Sequence, residues 1–371
     1  MGGKYVQMNR EETTRLSIIR SAATGLIGLL MVTACRGGGA TSAPVSVSPP
    51  PPPPPVTVTP PTRPEAPTPA PDGPDFLPAN KGWSLVWSDE FSGDSLDTTK
   101  WASENSCWGG GNDDRQCYTD RTDNVEVING LLRLVALEES FTGPLYPPEW
   151  NSTEQGSKDY TSGKVRTRGL AAWQYGRVSA RMKLPAGQGM WPAFWMLPAD
   201  DIYGSWPLSG EIDIMEAVNL GSYCDVCEGG TVENRTHGTL HFGNAFPANE
   251  NYGQATNLPN LARPDEGYHV YSVEWGEGRM NWFVDDLHFF SAAASDWFTV
   301  SPDASGNDNA PFDHPFYLMF NLAVGGNWPE NSNSFGFDST SVPNQLLVDW
   351  VRVYTCPEDS ATGHACMADP N

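Results

Sequence analysis

Positive charge is scarce in this chain. Lys and Arg number 22 against 45 Asp and Glu, a formal net charge of −23 over 371 residues. A surface that acidic repels nucleic acid and anionic lipid. It also argues against a strongly sulfated or polyuronic ligand unless basic residues gather locally. Long apolar runs are lacking too. The stretch from Ala22 to Ala34 is too short for a comfortable membrane span. No long segment carries the 3.6-residue period of an amphipathic helix. Beyond one proline-rich stretch, no internal repeat is present.

The N-terminus reads as a targeting segment. Lys4, Arg10, Arg15 and Arg20 precede the apolar stretch, which ends at Val32-Thr33-Ala34-Cys35. Small residues directly before a cysteine resemble a bacterial lipoprotein signal, with residues 1–34 removed and Cys35 lipidated. An ordinary secretory signal with an incidental cysteine is the alternative. Arg36 follows, not the Asp that resembles an inner-membrane retention signal, so an exported, outer-membrane lipoprotein is expected in a Gram-negative host. Residues 35–78 are rich in Gly and Pro and read as an extended spacer. Residues 79–371 remain for one domain.

Cysteine usage agrees with export. With Cys35 assigned to lipid, six remain, an even number. Pairing Cys107 with Cys117, Cys224 with Cys227, and Cys356 with Cys366 is the economical choice among the fifteen possible. Cys224-Asp-Val-Cys227 also has redox or metal spacing, but no second such motif or His pair completes a zinc site.

The domain reads as all-β. Short strand-like runs recur between Gly, Pro, Asn and Asp clusters, as in VEVINGLLRLVAL (125–137), HVYSVEW (269–275) and FYLMFNLAV (316–324). Many short strands with few helices imply a sandwich or barrel.

Chemistry concentrates at EIDIME, residues 211–216. On a strand, Glu211 and Asp213 share a face, while strict alternation turns Glu216 inward, where an unpaired carboxylate is costly. A β-bulge with Met215 as the extra residue restores Glu216 to the face of the other two acids. Glu211 and Glu216 would then lie about 13 Å apart along the strand at ~3.3 Å per paired position. Leaning together, their carboxyls can approach the ~5–5.5 Å of a retaining glycosidase, one as nucleophile and one as acid then base. Asp213 between them can raise a neighbour's pKa. A solvated acidic face and a calcium site are the competing readings. Upstream, Trp191 and Trp195 share a strand face and can offer flat rings to sugars. His237 and His241 likewise share a face and can contact substrate.

EIDIME resembles the bulged signature of glycoside hydrolase family 16. WSDEFSGDSLDTTKW (87–101), YTSGKVRTRG (160–169), GRVSARMKLPAGQGMWPAFWMLP (176–198), HGTLHFG, FNLAVGGNWP (320–329) and VDWVRVY (348–354) follow in family order. The pattern looks most like bacterial laminarinases, endo-acting β-1,3-glucanases. The resemblance implies a jelly-roll β-sandwich of two antiparallel sheets with an open concave cleft. It implies Glu211 as nucleophile, Glu216 as acid/base and Asp213 as their assistant. Trp191, Trp195, His237, Asn321 and Trp328 would line the cleft. No cofactor is implied for catalysis. A structural calcium is implied at Glu90, the backbone of Gly130, and Asp349. The expected partner is a β-glucan polysaccharide, bound by a monomer. Residues 143–158 and 224–235 depart from the family pattern and leave substrate preference open. Another β-linked polysaccharide, such as mixed-linkage glucan, agar-type galactan or β-1,3-galactan, is the alternative. A non-catalytic glucan-binding protein is a third reading, opposed by the presence of both glutamates.

Overall fold

The computed structural model describes residues 61–79, 81–227 and 230–369. The signal segment, Cys35 and the first part of the spacer lie outside them. The strands are β1 (Ser84–Asp89), β2 (Ala102–Ser103), β3 (Gln116–Tyr118), β4 (Val125–Ile128), β5 (Leu131–Pro144), β6 (Gln155–Ser162), β7 (Lys164–Arg166), β8 (Gly176–Lys183), β9 (Met190–Pro198), β10 (Glu211–Glu216), β11 (Arg235–Gly243), β12 (Asn249–Asn257), β13 (His269–Gly276), β14 (Arg279–Val284), β15 (Leu287–Ala293), β16 (Phe316–Val324) and β17 (Asn344–Thr355). A short α-helix, α1, spans Asn327–Asn331.

The strands form two sheets. One runs β12-β11-β10-β9-β16-β7-β2; the other runs β15-β14-β13-β8-β17-β5-β6-β3, with β1 beside β17 and β4 beside β5. All pairings are antiparallel except β3 with β6. The sheets face each other as a jelly-roll β-sandwich, as expected.

Period-two patterning places the core between them. Leu132, Leu134 and Ala136 of β5 and Ala180 and Met182 of β8 meet Phe194 and Met196 of β9 and Leu318, Phe320 and Leu322 of β16, all fully buried. Phe194 and Phe320 stack with centroids 4.6 Å apart. Each buried Leu, Met or Phe among them stabilises the fold by about 1.5–3 kcal/mol. The Asn129-Gly130 turn forms the β4–β5 hairpin with both residues left-handed, φ 55° and 77°, as a two-residue turn between twisted strands demands.

Composition assigns residues 61–78 to the spacer, yet they fall within the same compact unit as the domain. Arg133 donates to the carbonyls of Pro64 (2.7 Å) and Glu65 (3.0 Å), Asn129 to that of Pro67 (2.8 Å), and Arg177 to that of Phe76 (3.3 Å). Arg63 pairs with Glu126 at 2.6 Å. Extended proline-rich backbone has no internal hydrogen bonds. Its free carbonyls are therefore available to arginines on the outer face of the larger sheet.

Candidate active site

The bulge in β10 is present. Against β9, Asp213 pairs with Trp195 and Met215 with Phe194, so Ile214 is the residue without a partner there. Against β11, Asp213 pairs with Thr239 and Glu216 with His237, so Ile214 and Met215 together oppose Gly238. The extra residue on the β9 side is thus Ile214 rather than Met215. Both are buried in the core and both turn inward. Such a kink disrupts the ladder. The Trp282 indole, reaching across from β14, donates to the carbonyl of Asp213 at 2.9 Å. A side chain at Gly238 would strike this indole, its Cβ falling 2.5 Å from the ring. Glycine opposite the bulge therefore makes room for the group that satisfies it.

The result is the expected common face. Glu211 and Glu216 keep exposed edges, while Asp213 between them is 2% exposed. Trp191 Nε1 donates to Glu216 Oε1 at 2.9 Å. Trp206 Nε1, from the loop before β10, donates to Glu211 Oε2 at 2.9 Å. Each glutamate is thereby held by its own indole. His241 Nε2 lies 3.3 Å from Asp213 Oδ2 and 3.8 Å from Glu211 Oε1.

Burial, reinforced by the charge of Asp213, pushes the Glu211 and Glu216 carboxyls up to about 8. Burial likewise pushes Asp213 up to about 8. Three acids this close share protons as a group and lose them stepwise. The raised carboxyls supply a donor at neutral pH, and loss of the first proton leaves a carboxylate beside it. That is the combination double displacement requires. Burial pushes His237 down to about 4, leaving a neutral ring.

The sequence-based candidates converge. Trp328, in α1, lies edge-on to Trp191 (centroids 5.4 Å) and to His237 (5.0 Å). Trp195 donates to Asn321 Oδ1 at 2.7 Å, and Asn321 donates to the Tyr118 hydroxyl at 3.1 Å. Trp206, Tyr118 and Lys164, whose ammonium lies 5.0 Å from the Trp195 ring centroid, are missed by sequence reasoning. Trp206-Pro207, just before the acid motif, is the local signal that could have found the first. Nothing local marks the other two.

All three expected disulfides form, including Cys224–Cys227, so that pair offers no thiolates to a metal. The residues expected to hold calcium lie on or next to strands of the other sheet. Glu90 follows Asp89, which pairs with Val351; Gly130 precedes the β5 segment that pairs with Val348; Asp349 is a bulge residue between them. Two carboxylates and a carbonyl are hard oxygen donors suited to calcium. Guanidinium groups occupy both acids: Arg352 holds Glu90 at 2.9 and 2.8 Å, and Arg181 pairs with Asp349.

The fold and the acid-lined face are those of a carbohydrate-cleaving enzyme. A family model described as "Beta-porphyranase A-D, GH16 domain" matches residues 83–356. The chain is 40% identical over 285 residues to glucan endo-1,3-beta-glucosidase A1 of Niallia circulans, covering 75% of this chain and 38% of that protein. It is 39% identical over 276 residues to a beta-glucanase of Rhodothermus marinus, covering 73% of this chain and 85% of the other. The X-ray structure of the Rhodothermus marinus laminarinase superposes with a TM-score of 0.59 at 36% identity, covering 73% of this chain and 97% of that one. The chain belongs to glycoside hydrolase family 16.

Proposed function

We propose that the protein is a retaining, endo-acting hydrolase of internal β-1,3-glucosidic bonds in laminarin-type glucans. The observation that carries this reading is the bulged strand presenting Glu211, Asp213 and Glu216 together, with one indole on each glutamate. Glu211 attacks the anomeric carbon while Glu216 protonates the departing oxygen. Glu216 then deprotonates the water that releases the glycosyl-enzyme. The names of the glucan-active relatives support β-1,3-glucan as substrate.

The matching family model is described by porphyranases, so a galactan is the second reading. Cleft electrostatics favour a neutral polymer. Lys164 pairs with Glu104, Arg166 with Glu104 and Glu149, and Arg115 with Glu330. Each of these cations is matched by a carboxylate, which weighs against a sulfate bound at them. Product analysis after incubation with laminarin, lichenan, agarose and β-1,3-galactan tests the assignment. Laminari-oligosaccharides should dominate, and release from a galactan alone would overturn it.

The same proposal includes an exported monomer anchored in the outer membrane through a lipid on Cys35. It also includes a structural calcium at Glu90, Gly130 and Asp349, where the cation would trade places with the two guanidinium groups.

A further inference from the structure

One segment set aside by the sequence pattern, residues 143–158, carries a feature the catalytic site does not use. Trp108, Tyr146 and Trp150 form a cluster outside the core. Tyr146 and Trp150 stack with centroids 5.3 Å apart, and Trp108 lies 5.5 and 5.1 Å from them. Trp150 is 53% exposed and Trp108 37%, so the rings do not seal a core.

The cluster is built rather than loose. The Trp108 backbone follows Cys107, which is bonded to Cys117 of β3 and donates to the Pro144 carbonyl at 2.8 Å. Glu149, next to Trp150, takes a bidentate pair from Arg166 of β7 at 2.7 Å each and is also bound by Arg168. Arg166 lies on the same face of β7 as Lys164, whose ammonium sits over Trp195 of the cleft. The two cations also share Glu104. A row of contacting side chains thus joins Trp195 of β9 to the segment between β5 and β6. β7 is the third strand from β10 in the order β10-β9-β16-β7. Three strand spacings are ~14 Å, several sugar units from the acids.

We propose that Trp108, Tyr146 and Trp150 are a distal carbohydrate-binding platform that extends the cleft past β7. It would take the apolar faces of β-linked hexopyranose units of the same glucan chain that is cut at Glu211 and Glu216. The inference rests on the proposed glucan activity. Rigid, exposed rings at the end of a polysaccharide cleft can stack on pyranose faces, and bidentate clamping holds them in position without a ligand.

The test is a chain-length series. Wild type, Trp150→Ala, Trp108→Ala and Trp150→Phe are assayed for kcat/KM on laminari-oligosaccharides, from the shortest that wild type cleaves up to laminarin, with Tm measured for each. The ratio of long-chain to shortest-chain kcat/KM should fall about tenfold in either alanine variant, as expected for loss of one stacking ring. Trp150→Phe should retain most of the ratio. An unchanged ratio overturns the platform. A parallel loss on all lengths, or a loss that tracks a lower Tm, also overturns it, because the rings would then be structural. Wild type that cleaves no laminari-oligosaccharide refutes the glucan activity itself. The ratio is then read on a length series of the polymer it does cleave, with the same criteria.

Discussion

Trp206→Phe should move the acid limb of the pH–rate profile upward. The Trp206 indole donates to Glu211 Oε2 at 2.9 Å and lowers the pKa that burial and Asp213 raise. A hydrogen bond to a charged group contributes about 1.5–3 kcal/mol when shielded. Trp206 is 39% exposed, so water replaces part of what is lost. A rise of about one unit, equivalent to ~1.4 kcal/mol, is the expected size. Phenylalanine keeps an aromatic ring for the contacts with His241 and Phe246, which isolates the donor. The nucleophile must be ionised to attack, so a higher pKa removes active enzyme on the acid side. The acid limb of kcat/KM on laminarin should therefore shift to higher pH, with the alkaline limb nearly fixed. An acid limb that stays put or moves down would refute the claim that this indole sets the ionisation of Glu211.

In Glu211→Ala, azide can enter only from the opposite sugar face and should give an α-glycosyl azide. In Glu216→Ala, an activated aryl glucoside should still glycosylate Glu211, and azide should then give the β-product; an α-product in NMR would reverse the two assignments. Glu216 is held at about 8 when folded, against ~4.3 in an unfolded chain. The folded state therefore binds the extra proton between those values, and stability falls as pH rises from about 4 to 8. Glu216→Gln should raise Tm by a few degrees at pH 8 and not at pH 4 by calorimetry, and equal gains at both would contradict this. Cys35→Ser should release the protein from the membrane fraction, whereas wild-type retention would refute the anchor. Calcium added after EGTA treatment should raise Tm, and no response would show that Arg352 and Arg181 keep the site.

The acid motif was legible because its chemistry conflicts with strand periodicity. Glu211, Asp213 and Glu216 cannot share a face without a bulge, and three clustered acids have no inexpensive structural role, so one local stretch implied both geometry and function. The same logic could not choose the extra residue. Ile214 and Met215 are both apolar and both point inward, and the register against Phe194 depends on the neighbouring strand. The indole that rescues the Asp213 carbonyl sits on β14, sixty-nine residues away in sequence. No local pattern encodes that contact. Gly238 reads in sequence only as a glycine within a strand, and its reason emerges when Trp282 is seen packed where a Cβ would lie. The proline-rich segment shows the opposite limit. Its composition correctly reports a chain that makes no internal hydrogen bonds, but an unbonded carbonyl is also an acceptor. Arg133 and Arg177, on strands whose alternate residues build the core, supply donors on the outer face. Whether such a segment hangs free or docks is thus decided by which cations the fold places beneath it, and composition alone carries no record of that.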